Sequence, residues 1–541
     1  MGNGKATPPP GDFRERLRRT TETLRPSHQH SALSATLLLT STIMLSRVIG
    51  YFREAYIAWA FGAGTQTDAY VAAFTLPDFL NYLVAGGAVA ITFVSIFTRY
   101  EAEGREEDAH RAFSIVITVM TSVLIAGVAL AMVFTPQLLR LIFRDFSPQQ
   151  LDLCVYLTRI LLPAQVFFYV GGVVSAVLLS RRLFLFPALG PLIYNLGIIL
   201  GGVLLSGRMG IASLAVGALA GAFAGPFLIN AIGAARIGMS YRPSFDFSHP
   251  GFREWVRLSI PLMLGVTLVA ADEWILRLFA QGGAGDITRL NYAKRLFAVP
   301  VAVLAQATGQ ASLPFFARLV GEKKMGEFAS SVSAMVYRTA AVSLLVAAWM
   351  MASALPLVDL VYRRGRFQFF DSQETSIFFF WFALSLPFWA AQALYARAFY
   401  AAGNTMTPMV AGTVVTLASL PVYSWMFNTL GVVGLAIASD IGIVAHTLVL
   451  GVLLDRRRLV PARAMPWREI SKALATALVA GAAAYGASRV IALDGSRAAD
   501  FEVLGVVSIT WAGAVAAGLW LTRSELPGLL RQPGAGISPS E

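Results

Sequence analysis

The chain is punctuated by apolar runs that meet or exceed the roughly 20 residues a helix needs to cross a bilayer. Fourteen can be marked, approximately 32–61, 68–98, 111–135, 150–180, 186–206, 210–235, 253–281, 287–318, 328–358, 372–402, 406–427, 431–454, 469–492 and 501–522. This repetition points to an all-α polytopic membrane protein, because only helices and closed barrels satisfy their backbone hydrogen bonds in lipid. Composition agrees: 56% of the 541 residues are apolar and 14% charged, against about a quarter charged in soluble domains. Several runs exceed the minimum length, which predicts tilted or bent helices, with bends at Pro77 and Pro300.

The net charge of +12 does not indicate nucleic acid, because the basic residues sit in short connections. They follow the even-numbered segments: Arg99, Arg105 and Arg111; Arg181 and Arg182; Arg236 and Arg242; Arg318, Lys323 and Lys324; Arg456, Arg457, Arg458 and Arg463; Arg523 and Arg531. By the positive-inside rule these connections and both termini are cytoplasmic. The connection carrying Arg363, Arg364 and Arg366 is an exception. Residues 1–30, rich in Pro, Arg, Thr and Ser, read as a disordered cytoplasmic tail, and 525–541 as a second tail. Cys154 is the only cysteine and reads as a small buried apolar residue, and the five histidines have no metal-ligand spacing, so neither a disulfide nor a metal site is expected.

An internal repeat is visible. Pro77 in TLPDFLNYLVAGGA pairs with Pro300 in AVPVAVLAQATGQ at an offset of 223; Pro187 pairs with Pro408, and GIASLAVG from Gly210 with GVVGLAIA from Gly431, both at 221. An offset that spans six helices keeps the same topology in both copies, so the repeats are parallel. This predicts an N-lobe (31–242, six helices), a C-lobe (243–460, six helices) and two further helices (461–524), with the substrate site between the lobes.

Charges inside the apolar segments support that placement. Arg47, Arg53, Glu54 and Asp68 lie within SRVIGYFREAYIAWAFGAGTQTDAYVAAFTLP; Asp272, Glu273 and Arg277 lie in ADEWILRLFA, and Lys294 and Arg295 in NYAKRLFAVP. A charge at bilayer depth costs about 2.5 kcal/mol or more, so such groups face a cavity or a partner. Glu54 follows Arg47 by seven residues and returns to nearly the same helix face, with Arg53 turned about a third of a circle away. Two readings fit: ion pairs of Arg47 or Arg53 with Glu54 or Asp68 that lock helices together, or a cationic wall for an anionic substrate. Glu273 and Arg277, spaced i,i+4, can pair along one helix. Lys294 and Arg295 lack so obvious a local acid and converge on the same central space.

The long first motif closely resembles the N-terminal signature of the MurJ (MviN) lipid II flippases, members of the multidrug/oligosaccharidyl-lipid/polysaccharide exporter superfamily. YAKRLFAVPVAVLAQATGQASLP and ARAFYAAGNTMTP resemble that family's eighth helix and its tenth–eleventh connection. The resemblance covers about 32–522 and includes the fourteen-helix count. It implies a multi-pass protein of the bacterial cytoplasmic membrane that moves lipid-linked peptidoglycan precursor (lipid II) to the periplasmic leaflet by alternating access. It implies lipid II and membrane lipids as partners, with other cell-wall synthesis proteins as further candidates. Arg47, Arg53 and Arg295 match arginines that the family needs, with Lys294 as an added substrate-binding cation. Asp68 matches the acid at the start of the second helix and is expected, with Glu54, Glu273 and Arg277, to gate or form ion pairs. It is expected to pair with one of these arginines in at least one state.

There are departures. Asn81, Tyr82 and Gly86 stand where many members have an arginine pair and a glutamate, and Lys294 replaces a common acid. Some members bind sodium; Asp272 and Asp440 are the counterparts here for a monovalent cation, although the eleventh helix has no acid. No cofactor is expected beyond such an ion or the membrane potential.

Lipid II carries a large, polar, anionic head group, so crossing needs a wet cavity with cations for its pyrophosphate. Arginine suits that contact through its bidentate fork and permanent charge. No GxxxxGK[ST] motif and no nucleophile–base constellation occur, which argues against an ATP-driven pump and against an enzyme. The alternatives are a flippase for another polyprenyl-pyrophosphate saccharide, or a drug/cation antiporter of the same superfamily, whose cavity would be expected to centre on acids.

Overall fold

The computed structural model describes residues 32–85, 88–181, 183–264, 268–490 and 496–531. The expected tail 1–30 lies outside them, as do residues 532–541 of the second tail, Gly86 and Arg182. The described residues contain helices and no strand. The first half runs α1 (Ala32–Phe61), α2 (Thr65–Ala73), α3 (Thr75–Ala85), α4 (Ala88–Ala102), α5 (Glu106–Ile142), α6 (Pro148–Leu161), α7 (Ala164–Ser180), α8 (Leu185–Met209), α9 (Ala212–Ala222) and α10 (Asn230–Arg236). The second half runs α11 (Pro250–Leu264), α12 (Leu268–Phe279), α13 (Asp286–Pro300), α14 (Thr308–Gly321), α15 (Met325–Ala352), α16 (Ala354–Tyr362), α17 (Phe369–Leu384), α18 (Leu386–Ala401) and α19 (Met406–Arg456). Helices α20 (Trp467–Ser488), α21 (Arg497–Leu521) and α22 (Leu526–Arg531) close the chain.

Among the described residues, nine helices have the length and apolarity of a membrane span, or ten when α17 and α18, bent by 43°, count as one. Length and composition therefore recover fewer than the fourteen expected spans. Breaks account for part of the difference. The second expected span is interrupted at Phe74, and the 51-residue α19 holds two expected spans joined at Gly431, whose φ of 62° is non-helical. The first break has a local cause. Pro77 has no N–H to give the Ala73 carbonyl four residues back. The Thr158 hydroxyl donates to that carbonyl instead, at 3.2 Å. After Pro300 the helix widens into a π-helical turn, Val301–Ala307.

The repeat has a conformational counterpart. Gly210 and Gly431, matched by sequence, adopt nearly the same unusual geometry: φ 54°, ψ −136° and φ 62°, ψ −145°. At Gly431 the two arms of α19 come so close that a Cβ on Gly434 would lie 2.1 Å from the Met426 carbonyl oxygen. Small residues draw α8 and α9 together in the same way. A Cβ on Gly201 would sit 2.6 Å from the Gly217 Cα, and one on Gly197 2.6 Å from the Gly221 Cα. In lipid, helix association depends on this close backbone approach, because burial of apolar surface supplies little drive there.

The largest apolar cluster joins the two halves, bringing Ile57 and Tyr70 together with Ile275, Tyr292, Phe382 and Tyr423. The C-terminal helices pack on α15 and α16, where the Trp511 indole donates to the Leu345 carbonyl (2.9 Å) and the Trp349 indole to the Ser508 hydroxyl (3.0 Å). The basic connection that breaks the charge rule is partly explained here. Arg363 pairs with buried Asp359 (3.0 Å) and buried Asp500 (3.6 Å), so it ties α16 to α21. The second tail opens with α22, whose Leu526 is buried.

Candidate functional site

Helix α1 is the spine of the site. Arg53 and Glu54 lie eight and seven residues before its C-terminal Phe61, roughly 12 Å from that end. They open on a cavity of about 260 Å³ walled by α1, α2, α3, α8, α12 and α13. Arg277 and Arg295 enter it from the second half, and Asp78 enters from α3. Arg53 is ion-paired with Glu54 and donates to the Asn195 side-chain oxygen at 2.8 Å. Arg277 pairs with Asp78 at 2.8 Å and, one turn back, with Glu273 at 3.4 Å. Arg295 is held most loosely, its nearest acid being Glu54 at 4.0 Å. The Tyr51 hydroxyl donates to the Arg295 carbonyl at 3.0 Å, which fixes α1 against α13. Tyr70, Tyr194, Tyr292 and Asn291 add polar groups to the wall.

Of the ion pairs the sequence allows, Arg53 with Glu54 is formed. The lining carries three guanidinium groups and two carboxylates, so the cavity is cationic by one charge but already paired. Arg47 lies outside it. It is exposed, at the middle of α1 and nearly two turns before Arg53, and reaches Gln306 at 3.4 Å.

The mouth at the α1 C-terminal end is shut by Asp68. This residue is 1% exposed, and its carboxylate accepts from the Gly285 N–H (2.5 Å), the Thr288 N–H (2.8 Å) and the Thr288 hydroxyl (2.6 Å). Gly285 is the N-cap position of α13 and has no side chain to bond the free amides of the first turn. Asp68 supplies the missing cap from the other half of the molecule, and its charge meets the positive end of the helix dipole. In this closed arrangement the partners of Asp68 are the α13 amides and the Thr288 hydroxyl rather than an arginine. A helix N-terminus meets the same electrostatic need.

The closure continues at backbone level. The Arg366 N–H donates to the Trp59 carbonyl (3.0 Å), and the Asp145 N–H to the Gln281 side chain (3.1 Å). Gly62 (φ 72°) and Gly365 (φ 57°) stand where a Cβ would lie 2.8 Å from the Arg366 carbonyl oxygen and 2.4 Å from that of Trp59.

Lys294 does not line the cavity. Adjacent helix residues differ by about 100°, so with Arg295 directed at Glu54, Lys294 turns towards α12 and α19. There it is ion-paired with Asp272. In this structure Lys294 is thus directed at Asp272 rather than at the arginine cavity, and the acid expected to hold a soluble cation holds the lysine. Asp440 is buried nearby and feels the same ammonium. Of the departures, Tyr82 packs edge-on against Trp274, centroids 5.4 Å apart.

Asp78, Asn195 and Gln306 were not anticipated. Asp78 had a usable signal, a carboxylate beside Pro77 inside an apolar segment. Asn195 had a weaker one, an isolated amide in an apolar helix. Gln306 had none. A larger cleft, about 560 Å³, lies between α15–α17 and α20–α21, with Phe380, Tyr485, Arg489 and Val503 in its wall. It is separate from the arginine cluster.

A many-spanning helical protein, with a charged central cavity sealed at one end by contacts between its halves, has the architecture of a membrane transporter. The sequence profile of the family described as lipid II flippase MurJ matches residues 57–497, and the chain belongs to that family. The lipid II flippase MurJ of Burkholderia cenocepacia is 26% identical over 437 residues, covering 78% of this chain and 84% of the relative. A probable lipid II flippase MurJ of Thermotoga maritima is 24% identical over 421 residues, covering 77% and 84%. Among solved structures, a lipid II flippase MurJ in an inward closed conformation superposes with a TM-score of 0.75 at 22% identity, covering 89% of this chain and 99% of that one. An inward-facing multidrug resistance MATE transporter superposes at 0.63 and 15% identity, which shows a shared fold.

Proposed function

We propose that the protein is a lipid II flippase of the bacterial cytoplasmic membrane, with both termini in the cytoplasm, and that residues 31–242 and 243–460 rock as two lobes about the arginine cavity. The observation that carries this reading is the convergence of Arg53, Arg277 and Arg295 from both halves beneath a sealed mouth, in a chain of this family. With the basic connections cytoplasmic, the Asp68 seal faces the periplasm.

A space of about 260 Å³ is below the usual range for a drug-sized ligand, so it admits a pyrophosphate but not a disaccharide-pentapeptide. Loading therefore requires the lobes to part on the cytoplasmic side. Arg47, exposed on that side, makes the first contact with the anion, and Arg295 and Arg53 receive it deeper. Pyrophosphate competes with Glu54 and Asp78 for the guanidinium groups, so binding breaks contacts that hold α1 to α13 and α3 to α12. The membrane potential favours outward movement of negative charge, at about 2.3 kcal/mol per charge per 100 mV.

The test is complementation of a strain depleted of its lipid II flippase. The parent should restore growth. Arg47→Ala, Arg53→Ala and Arg295→Ala should not, while remaining in the membrane, and the Arg→Lys versions should restore it only partly because an ammonium lacks the bidentate fork. Failure of the parent to support growth, with lipid II transport equally absent in vesicles, refutes the assignment.

A further inference from the structure

Outside the arginine cavity, α12, α13 and both arms of α19 meet at a buried polar cluster. Asp272 is 2% exposed; besides its pair with Lys294, it accepts from the Tyr423 hydroxyl and from the Ser439 hydroxyl at 3.0 Å. Tyr423 precedes the Gly431 turn, and Ser439 and Asp440 follow it. Asp440 is 7% exposed, with the Ser385 hydroxyl beside a carboxylate that makes no well-formed hydrogen bond among the described residues. It follows Ser439 directly on the same arm of α19 and lies within electrostatic reach of the Lys294 ammonium. The Phe382 ring lies 5.5 Å from the ammonium and closes one side with an apolar face.

Without the lysine this would leave a buried group of hard oxygen donors: the Asp272 carboxylate with the Tyr423 and Ser439 hydroxyls, and the Asp440 carboxylate next to Ser439 along α19. Such donors select alkali and alkaline-earth cations over soft metals. Among the described residues no third His, Cys, Asp or Glu joins the group, and two carboxylates with two hydroxyls suit a singly charged ion. A buried carboxylate pair demands a positive charge. The ammonium delivered by α13 is that charge, a point cation on a flexible stem.

We infer that Lys294 is a tethered cation occupying a monovalent-cation site formed by Asp272 and Asp440, so that the parent protein needs no sodium there and a protein with a neutral residue 294 binds it. The consequence is a permanent pin: α13 stays drawn to α12 and α19 whatever the ionic composition of the medium. The site is independent of what the arginine cavity carries.

The test uses the full-length protein in lipid nanodiscs and radioactive sodium as the probe. The parent and Lys294→Arg should show no saturable sodium binding. Lys294→Met, close in length but uncharged, should bind about one sodium per chain, displaced by unlabelled sodium but not by choline, and Asp440→Asn added to it should abolish that binding. Saturable binding to the parent would overturn the inference without need of any variant. A monodisperse Lys294→Met protein that binds none would overturn it as well. Because the measurement reads no transport, its failure is distinguishable from failure of the flippase assignment.

Discussion

Asp68→Asn isolates the seal. In the parent, three donors converge on one carboxylate at 2.5–2.8 Å, all from the first turn of α13. The asparagine oxygen can still serve the two Thr288 donors, but its amide NH₂ then faces the Gly285 N–H, donor against donor. The closed state loses one charge-assisted hydrogen bond, worth about 1.5–3 kcal/mol, and the interaction of the charge with the helix dipole. When the mouth opens Asp68 is hydrated, so part of this is returned, leaving a net loss of about 2 kcal/mol. At 1.36 kcal/mol per decade, the ratio of sealed to open molecules should fall roughly 30-fold. The assay is distance measurement between nitroxide labels on Gln149→Cys and Arg364→Cys, both exposed near this end, in a Cys154→Ala background. The parent should give a single short-distance population, and Asp68→Asn a second, longer one. If both proteins give the same distribution, the trans cap is not what holds the mouth shut and the reasoning fails.

Further outcomes follow from the same geometry. Glu54→Gln releases Arg53 and Arg295 from their shared acid, so pyrophosphate-lipid affinity should rise and turnover fall, read by lipid II binding and vesicle flipping; unchanged affinity would mean that Glu54 does not compete with substrate. Gly365→Ala adds a Cβ beside the Trp59 carbonyl at positive φ, at a cost of about 1–3 kcal/mol to the sealed state, which the same label pair should detect. Arg363→Ala leaves Asp359 and Asp500 buried without their shared cation; a loss of about 3–5 kcal/mol should appear as a lower melting temperature with α21 unfolding first by hydrogen exchange. Gly201→Leu should stop α8 and α9 from packing, and recovery of stable protein at parental levels would exclude that seam as essential.

The sequence by itself determined the class. Apolar segments of spanning length and the alternation of basic connections describe a many-spanning helical membrane protein, because bilayer thickness and charge asymmetry act on any chain locally, whatever its partners. The intramembrane arginines were visible for the same reason: their cost in lipid makes each one conspicuous. Which group answers which charge was a different matter. Asp68 and Gly285 lie 217 positions apart, and nothing in either segment announces that a carboxylate will cap a helix belonging to the other half. Lys294 and Arg295 are neighbours in sequence, yet their divergence on α13 sends one to Asp272 and the other to Glu54. Tyr423 and Ser439 reach Asp272 only because α19 folds back at Gly431. A helix shows which residues share its face, but only packing against other helices decides what that face meets. The seal and the lysine-filled acid pair therefore belong to the tertiary structure alone.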